Sequence, residues 1–193
     1  MNWTALVPLK PAGDRKSRLA EDLAADERTS LSEQLLAHVL RVLEQSPAIG
    51  RILLLCQQPP AFWQGEWIAD HGRGLNPELA AAHRSLAQAP VLVVHADLPL
   101  LSEADVAAIT ADAGNWAIAP DRHGLGTNAV AIPAHTPFDF QFGADSFARH
   151  RASNPGEPLV IKRSGFALDI DTPDDIRRAA SLGSPLFRKP VSP

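Results

Sequence analysis

Seven short apolar runs, rich in branched residues, alternate along the chain with longer segments whose apolar positions recur every three or four residues. The runs cover residues 4–9, 52–56, 91–95, 116–119, 129–132, 159–161 and 166–170. The first three are almost wholly apolar, as strands covered on both faces are, so they belong in the middle of a sheet. The clearest helical pattern covers residues 30–44, where Leu31, Leu35, Leu36, Val39, Leu40 and Leu43 share one face, and Ser30 with Glu33 reads as its capping box. Asn76 with Pro77, Ser102 with Asp105, and Asp145 or Ser146 read as three further helix starts. In the last helix Thr172 is the expected N-cap, with Pro173 at the first position and Asp174 and Asp175 in the positive first turn.

Strand, helix and strand at short spacing imply right-handed crossovers, hence an α/β fold of three layers around an open, mostly parallel sheet. The exception is residues 116–132, where two strands flank a polar loop too short to contain a helix, so an antiparallel hairpin is expected there. In open sheets of this kind ligands bind beyond the carboxyl ends of the strands. Residues just after each strand are therefore the candidates for chemistry.

Composition narrows the choice of partner. A chain of 193 residues suits a single domain. That domain is expected over residues 1–183, followed by a Pro-rich tail, residues 184–193, expected to be mobile or to pack as an arm on a second copy in a homodimer. The net charge of −4 argues against nucleic-acid binding, which favours a basic excess. The single cysteine, Cys56, precludes an intrachain disulfide and a cysteine-only zinc site. The N-terminal charge follows the apolar stretch, the reverse of a secretory signal, and no apolar run approaches the roughly 18 residues of a membrane span, so a cytoplasmic protein without membrane contact is expected.

Against this acidic background, residues 10–18 (KPAGDRKSR) carry four cations and one anion. A loop of this kind leading into a helix can combine its cations with backbone N–H donors to hold a triphosphate, although the spacing of a Walker A loop is absent and a solvated basic loop has the same composition. In HADLPL an apolar strand ends on Asp97, which needs a cation, a metal or a helix N-terminus as its partner. In DIDTP, Asp169 and Asp171 are two residues apart and so point to one side of an extended segment. Like charges held that close raise one pKa or require a divalent cation, and magnesium prefers carboxylates with phosphate and water oxygens. GLGTNA matches a dinucleotide fingerprint only weakly, because a strand follows it. A glycine-lined hairpin presenting Thr127 and Asn128 to a phosphate or carboxylate is the better reading. Gly143 with the helix near Ser146 offers another anion site or an ordinary capped helix, and residues 72–77 offer either a base-reading loop or a turn. The seven histidines show no metal-ligand spacing, and they and Cys56 read as structural.

Taken together, LVPLKPAGDRKSRLA, GLNPELAAA, HADLPLL, APDRHGLGTNAVAI, FGADSFARH and ALDIDTPDDI resemble, in order, the 2-phospho-L-lactate guanylyltransferase family of coenzyme F(420) biosynthesis. The resemblance implies a single-domain nucleotidyltransferase of the glycosyltransferase-A type that transfers GMP from GTP to a phosphorylated three-carbon acid. Candidate acceptors are 2-phospho-L-lactate, phosphoenolpyruvate and 3-phospho-D-glycerate, and the product passes to a deazaflavin-transferring enzyme. It also implies that Lys10, Lys16, Ser17 and Arg18 bind the triphosphate, and that Gly74 and Asn76 help hold guanine. Asp97, Asp169 and Asp171 are the implied magnesium (Mg2+) ligands, and Thr127, Gly143 and Ser146 the acceptor contacts. Lys16, Asp97 and Asp171 are the candidate catalytic residues. Asp145 departs from the uncharged residue expected beside an acceptor phosphate, which it would repel unless turned toward the helix. The competing readings are a molybdopterin guanylyltransferase, a sugar- or polyol-phosphate cytidylyltransferase, and a non-catalytic nucleotide-binding module.

Overall fold

The computed structural model describes residues 2–11, 16–86 and 89–187. Strands β1 (Trp3–Pro8), β2 (Ile49–Cys56), β3 (Glu66–Ala69), β4 (Val91–Val94), β5 (Ala117–Pro120), β6 (Thr127–Ile132) and β7 (Leu159–Val160) form one sheet in the order β3-β2-β1-β4-β6-β5-β7. All pairs are parallel except those of β6, which runs against both β4 and β5 and so forms the expected hairpin. The period-two alternation of side chains divides the core cleanly. Ala5, Val7, Leu92, Val94, Ala129 and Ala131 face one layer, which includes α1 (Ala25–Gln45) and α3 (Glu103–Ile109). Leu6, Val91, Val93, Val130 and Ile132 face the other, packed with Leu79 and Ala82 of α2 (Leu75–Leu86) and with Phe140 and Phe142. A smaller cluster joins Leu19, Leu35, Leu168 and Ile170 to Ala179 of α6 (Pro173–Ser181). The remaining helices are α4 (Ser146–Ser153) and the single turn α5 (Ser164–Ala167). No helix among the described residues is long and apolar enough to cross a membrane.

Two of the expected helix starts form capping boxes. Asp105 accepts from the Ser102 N–H and hydroxyl, and Asp175 accepts from the Thr172 N–H and hydroxyl while the Thr172 hydroxyl accepts from the Asp175 N–H.

Four expectations need correction. Helix α1 starts at Ala25, where the Glu27 carboxylate accepts the Ala24 N–H, so Ser30 lies inside the helix and caps nothing. Its hydroxyl accepts from Gln34 instead. Residues 166–170 are not a strand, because their first half closes the α5 turn. Phe166 plugs the core there, and residues 168–171 run extended beside Asp97, tied by one bond from the Ile170 N–H to the Asp97 carbonyl. Strand β3 was missed because it is a four-residue edge strand that opens on exposed Glu66 and so leaves only a three-residue apolar run. Finally, the expected domain end at residue 183 cuts through packed structure. Ser184 is fully buried and its hydroxyl donates to the Pro99 carbonyl, while Leu186 and Phe187 pack on the small cluster. The rest of the expected tail, residues 188–193, lies outside the described residues.

Candidate active site

The carboxyl ends of β1 to β4 open onto one rim, and the reversal of β6 brings its first residues to the same rim. A cleft of about 720 Å³ lies there. Its wall includes Lys10 and Lys16 after β1, the loop after β3, Asp97 after β4, Thr127 and Asn128 at the start of β6, Gly143 and Ser146, and the pair Asp169 and Asp171.

On one side, acids and cations interlock. The Lys16 ammonium donates to Asp97 Oδ2 at 2.6 Å and to the Ile170 carbonyl, and stands 3.9 Å from Asp171 Oδ1. Arg18 donates to Asp171 Oδ2 at 2.8 Å from an otherwise exposed side chain. Lys16 reaches this position from left-handed backbone, φ 54°, a conformation uncommon outside glycine. Ile170 is fully buried in the small core cluster, and the acids on either side of it both line the cleft, as their spacing predicts. Burial alone would raise the Asp97 pKa, but Lys16, His95 and Lys10 together bring it below the ordinary value. Burial, then the neighbouring Asp97 and Asp171 carboxylates, push Asp169 upward.

Oδ1 of Asp97 is buried and meets no hydrogen-bond partner among the described residues. An orphaned buried carboxylate oxygen beside two further acids is a hard-oxygen donor set that fits magnesium. No three acidic, histidine or cysteine side chains among the described residues converge closely enough to chelate an ion unaided, and the Lys16 ammonium stands between Asp97 and Asp171.

The opposite side is held by side-chain amides and an imidazole. Asn128 donates to the Phe166 carbonyl at 2.8 Å and to Asp169 Oδ1 at 3.4 Å, which links the hairpin to the acidic segment. The hairpin turn is closed by Asp121, whose Oδ1 accepts from the His123 and Leu125 N–H groups, and the Leu125 carbonyl accepts the Phe147 N–H of α4. Phe138, Phe140 and Phe142 pack inward, and the backbone between them is bonded by side chains instead of a neighbouring strand. Asn154 and Asp139 exchange two bonds, His150 Nε2 accepts the Gln141 N–H, and Asn76 exchanges two bonds with the Phe142 backbone. This holds Gly143 at φ 122°, with open space where a Cβ would stand. Ser146 is buried at the start of α4. Asp145 is exposed at φ 53°, makes no side-chain cap and does not line the cleft.

Both amide ends of Asn76 are engaged with Phe142, so this residue fixes the loop ahead of Gly143. Gly74, at φ 96°, stays on the cleft wall. The loop containing it is braced by buried Glu78, which accepts from the His71 and Arg73 N–H groups and from the Arg73 guanidinium. The Arg73 bonds, helped by the backbone donors, lower the Glu78 pKa to about 2 against its desolvation. The Ser17 side chain and residues 12–15 of the basic loop lie outside the described residues.

Sequence reasoning missed Asp121, Glu78, His95 and His150. His95 lines the cleft with its ring 5.1 Å from that of Phe142, and burial lowers its pKa. One signal was present for His150: it falls four residues after Ser146 and therefore on the same helix face.

Residues 3–184 match the family described as "Guanylyl transferase CofC like". The chain is 35% identical to the phosphoenolpyruvate guanylyltransferase of Sphaerobacter thermophilus over 93% of each chain. It is 34% identical to that of Conexibacter woesei over 91% of this chain and 86% of the other. Among solved structures it is similar to a protein from Desulfovibrio desulfuricans G20 assigned to the nucleotide-diphospho-sugar transferases, with TM-score 0.77 and 18% identity over 97% of this chain and 93% of the other. That likeness shows the nucleotidyltransferase fold.

Proposed function

Because the chain belongs to the CofC-like guanylyl transferase family, we propose that it transfers GMP from GTP to a phosphorylated three-carbon acid in coenzyme F(420) biosynthesis, with phosphoenolpyruvate as the preferred acceptor. The observation that carries this reading is the juxtaposition across one cleft of Lys16, Asp97, Asp169 and Asp171 with Thr127, Gly143 and Ser146. The relatives named for phosphoenolpyruvate, at 35% and 34% identity over most of the chain, support that acceptor over 2-phospho-L-lactate and 3-phospho-D-glycerate.

In the reaction an oxygen of the acceptor phosphate attacks the α-phosphorus of GTP, the α–β bridging bond breaks, and diphosphate leaves. The nucleophile is already ionised at neutral pH, so no general base is required, and half-buried His95 need not supply one. Two polyanions must be brought together, and charge neutralisation with positioning is the main task. Asp97, Asp169 and Asp171 would hold magnesium, which supplies charge neutralisation at the transferring phosphate. Lys10, Lys16 and Arg18 steady the triphosphate and then the leaving diphosphate. Lys16 neutralises carboxylates in the geometry above, and the phosphate oxygens of a bound triphosphate would compete with those carboxylates for its ammonium. Gly74 and the braced loop around it form a guanine wall, and Thr127, Gly143 and the start of α4 at Ser146 hold the acceptor's anionic groups. The product keeps a reactive phosphate anhydride, which suits handover to a deazaflavin-transferring partner in the cytoplasm.

The test is diphosphate release with GTP and magnesium, offering each of the three acceptors separately and identifying the product by mass. Release dependent on GTP and fastest with phosphoenolpyruvate is the expected result. Release with CTP but not GTP, or with none of the acceptors, would overturn the reading.

A further inference from the structure

His150 is fully buried on α4, and its contacts reach the elements that carry all three acceptor candidates. It lies one turn after Ser146 on the same helix, its Nδ1 is 3.2 Å from the Thr127 hydroxyl, and its Nε2 accepts the Gln141 N–H at 2.9 Å, two residues before Gly143. The rings of Phe142 and Phe138 pack on it at 4.8 and 5.7 Å.

The backbone donor determines the tautomer. Nε2 must offer its lone pair to the Gln141 N–H, so a neutral ring carries its proton on Nδ1. Burial lowers the His150 pKa to about 4, which keeps the ring neutral at physiological pH. The Nδ1–H therefore donates to Thr127 Oγ1. With that oxygen serving as acceptor, the hydroxyl's own hydrogen is left to point elsewhere, and Thr127 lines the cleft.

We propose that His150 is a positioning residue of the acceptor subsite: its ring fixes the Thr127 hydroxyl as a donor toward the acceptor's anionic group and fixes the backbone that leads to Gly143. The inference rests on the assignment of Thr127 and Gly143 to the acceptor made above. Two substitutions separate its two halves. His150→Gln keeps an oxygen near the Nε2 position for the Gln141 N–H and removes the Nδ1 donor. His150→Asn keeps a donor near Nδ1 and abandons Gln141.

The experiment combines nitrogen-15 NMR of the His150 ring with steady-state kinetics of these variants, Thr127→Val and the double variant Thr127→Val/His150→Gln. The expected spectrum is that of the Nδ1–H tautomer. Thr127→Val is expected to raise the acceptor KM about tenfold and leave the GTP KM within about twofold, as loss of a hydrogen bond to a charged group does. His150→Gln is expected to raise the acceptor KM about five- to tenfold alone but less than about twofold in the Thr127→Val background, while His150→Asn, which leaves the Gln141 N–H without its acceptor, is expected to raise it about two- to fivefold by loosening the backbone before Gly143. If Thr127→Val leaves acceptor KM unchanged, the acceptor assignment of Thr127 is overturned and the inference with it. If Thr127→Val has its effect but the two substitutions multiply independently, or the ring proton sits on Nε2, only the inference about His150 is overturned.

Discussion

The two sides of the cleft are built on different physical principles. The side assigned above to the acceptor is held by short hydrogen bonds between buried or half-buried side chains and backbone: Asn76 with Phe142, His150 with Gln141, Asn154 with Asp139 and Asn128 with Phe166. Each leaves little freedom, because an unmade bond at a buried position costs about 1–3 kcal/mol. On the triphosphate side, long cationic side chains lie on carboxylates, with Lys16 on Asp97 and Arg18 on Asp171. The Arg18 pair, its cation 73% exposed, is worth about 0–1 kcal/mol and can exchange partners readily. The difference suits the task. A small acceptor needs a pocket of fixed shape to be told from near-identical acids, whereas a triphosphate needs charges that can move from protein anions to phosphate anions.

The sharpest way to break this comparison is Asp97→Asn. If Asp97 is the buried ligand that its orphaned oxygen indicates, turnover at saturating substrates should fall by about 10³-fold or more. A fall of less than about tenfold in diphosphate release would detach it from the chemistry. The same variant carries a pH signature. The Asp97 pKa is lower in the folded chain than in the unfolded one, so its contribution to stability is present above the ordinary carboxylate pKa and is lost as pH falls through the folded value. Acid unfolding should therefore be less pH-dependent in Asp97→Asn than in the parent.

Next in size is Lys16→Met, expected to raise the GTP KM about 10–100-fold, the range for losing a charged hydrogen bond, while the acceptor KM changes little. Equal effects on both substrates would erase the distinction between the two sides. The smallest effect has the opposite sign. Burial and two neighbouring carboxylates raise the Asp169 pKa, so its charge opposes folding above the ordinary carboxylate range. Asp169→Asn should raise the melting temperature at pH 7 by about 2–4 °C while lowering turnover. A melting temperature that falls instead would mean that Asp169 is held by partners strong enough to outweigh that repulsion.

What could be read from sequence followed the same division. The central strands β1, β2 and β4 announce themselves as unbroken apolar runs because both their faces are covered, and the position of Asp97 follows from that alone. The pair Asp169 and Asp171 was legible through its spacing even though the segment around it is not a strand, since extended backbone suffices to put both on one side. The bracing of the acceptor side was not legible. Asn76 and His150 act on backbone atoms 66 and 9 residues away, and local periodicity says nothing about such pairings. The alternation of Phe138, Phe140 and Phe142 in PFDFQFG was visible, but without a neighbouring strand it gave no hint of what bonds its backbone. Edge strand β3 and the true start of α1 failed for a simpler reason, because exposed polar residues dilute the pattern at the margins of elements.

The reversed direction of β6 has a consequence for how such an enzyme can diversify. Both ends of the turn at residues 121–126 open on the rim above the cleft, so the turn can be lengthened, shortened or rewritten without shifting the register of any parallel pair in the sheet. Its restraints among the described residues include the bonds from the Arg122 N–H to the Ala167 carbonyl and from the Phe147 N–H to the Leu125 carbonyl, and the ion pair of Arg122 with Asp175. A change in the turn would thus alter what faces the proposed nucleotide site while leaving Lys16, Asp97 and Asp171 where they stand.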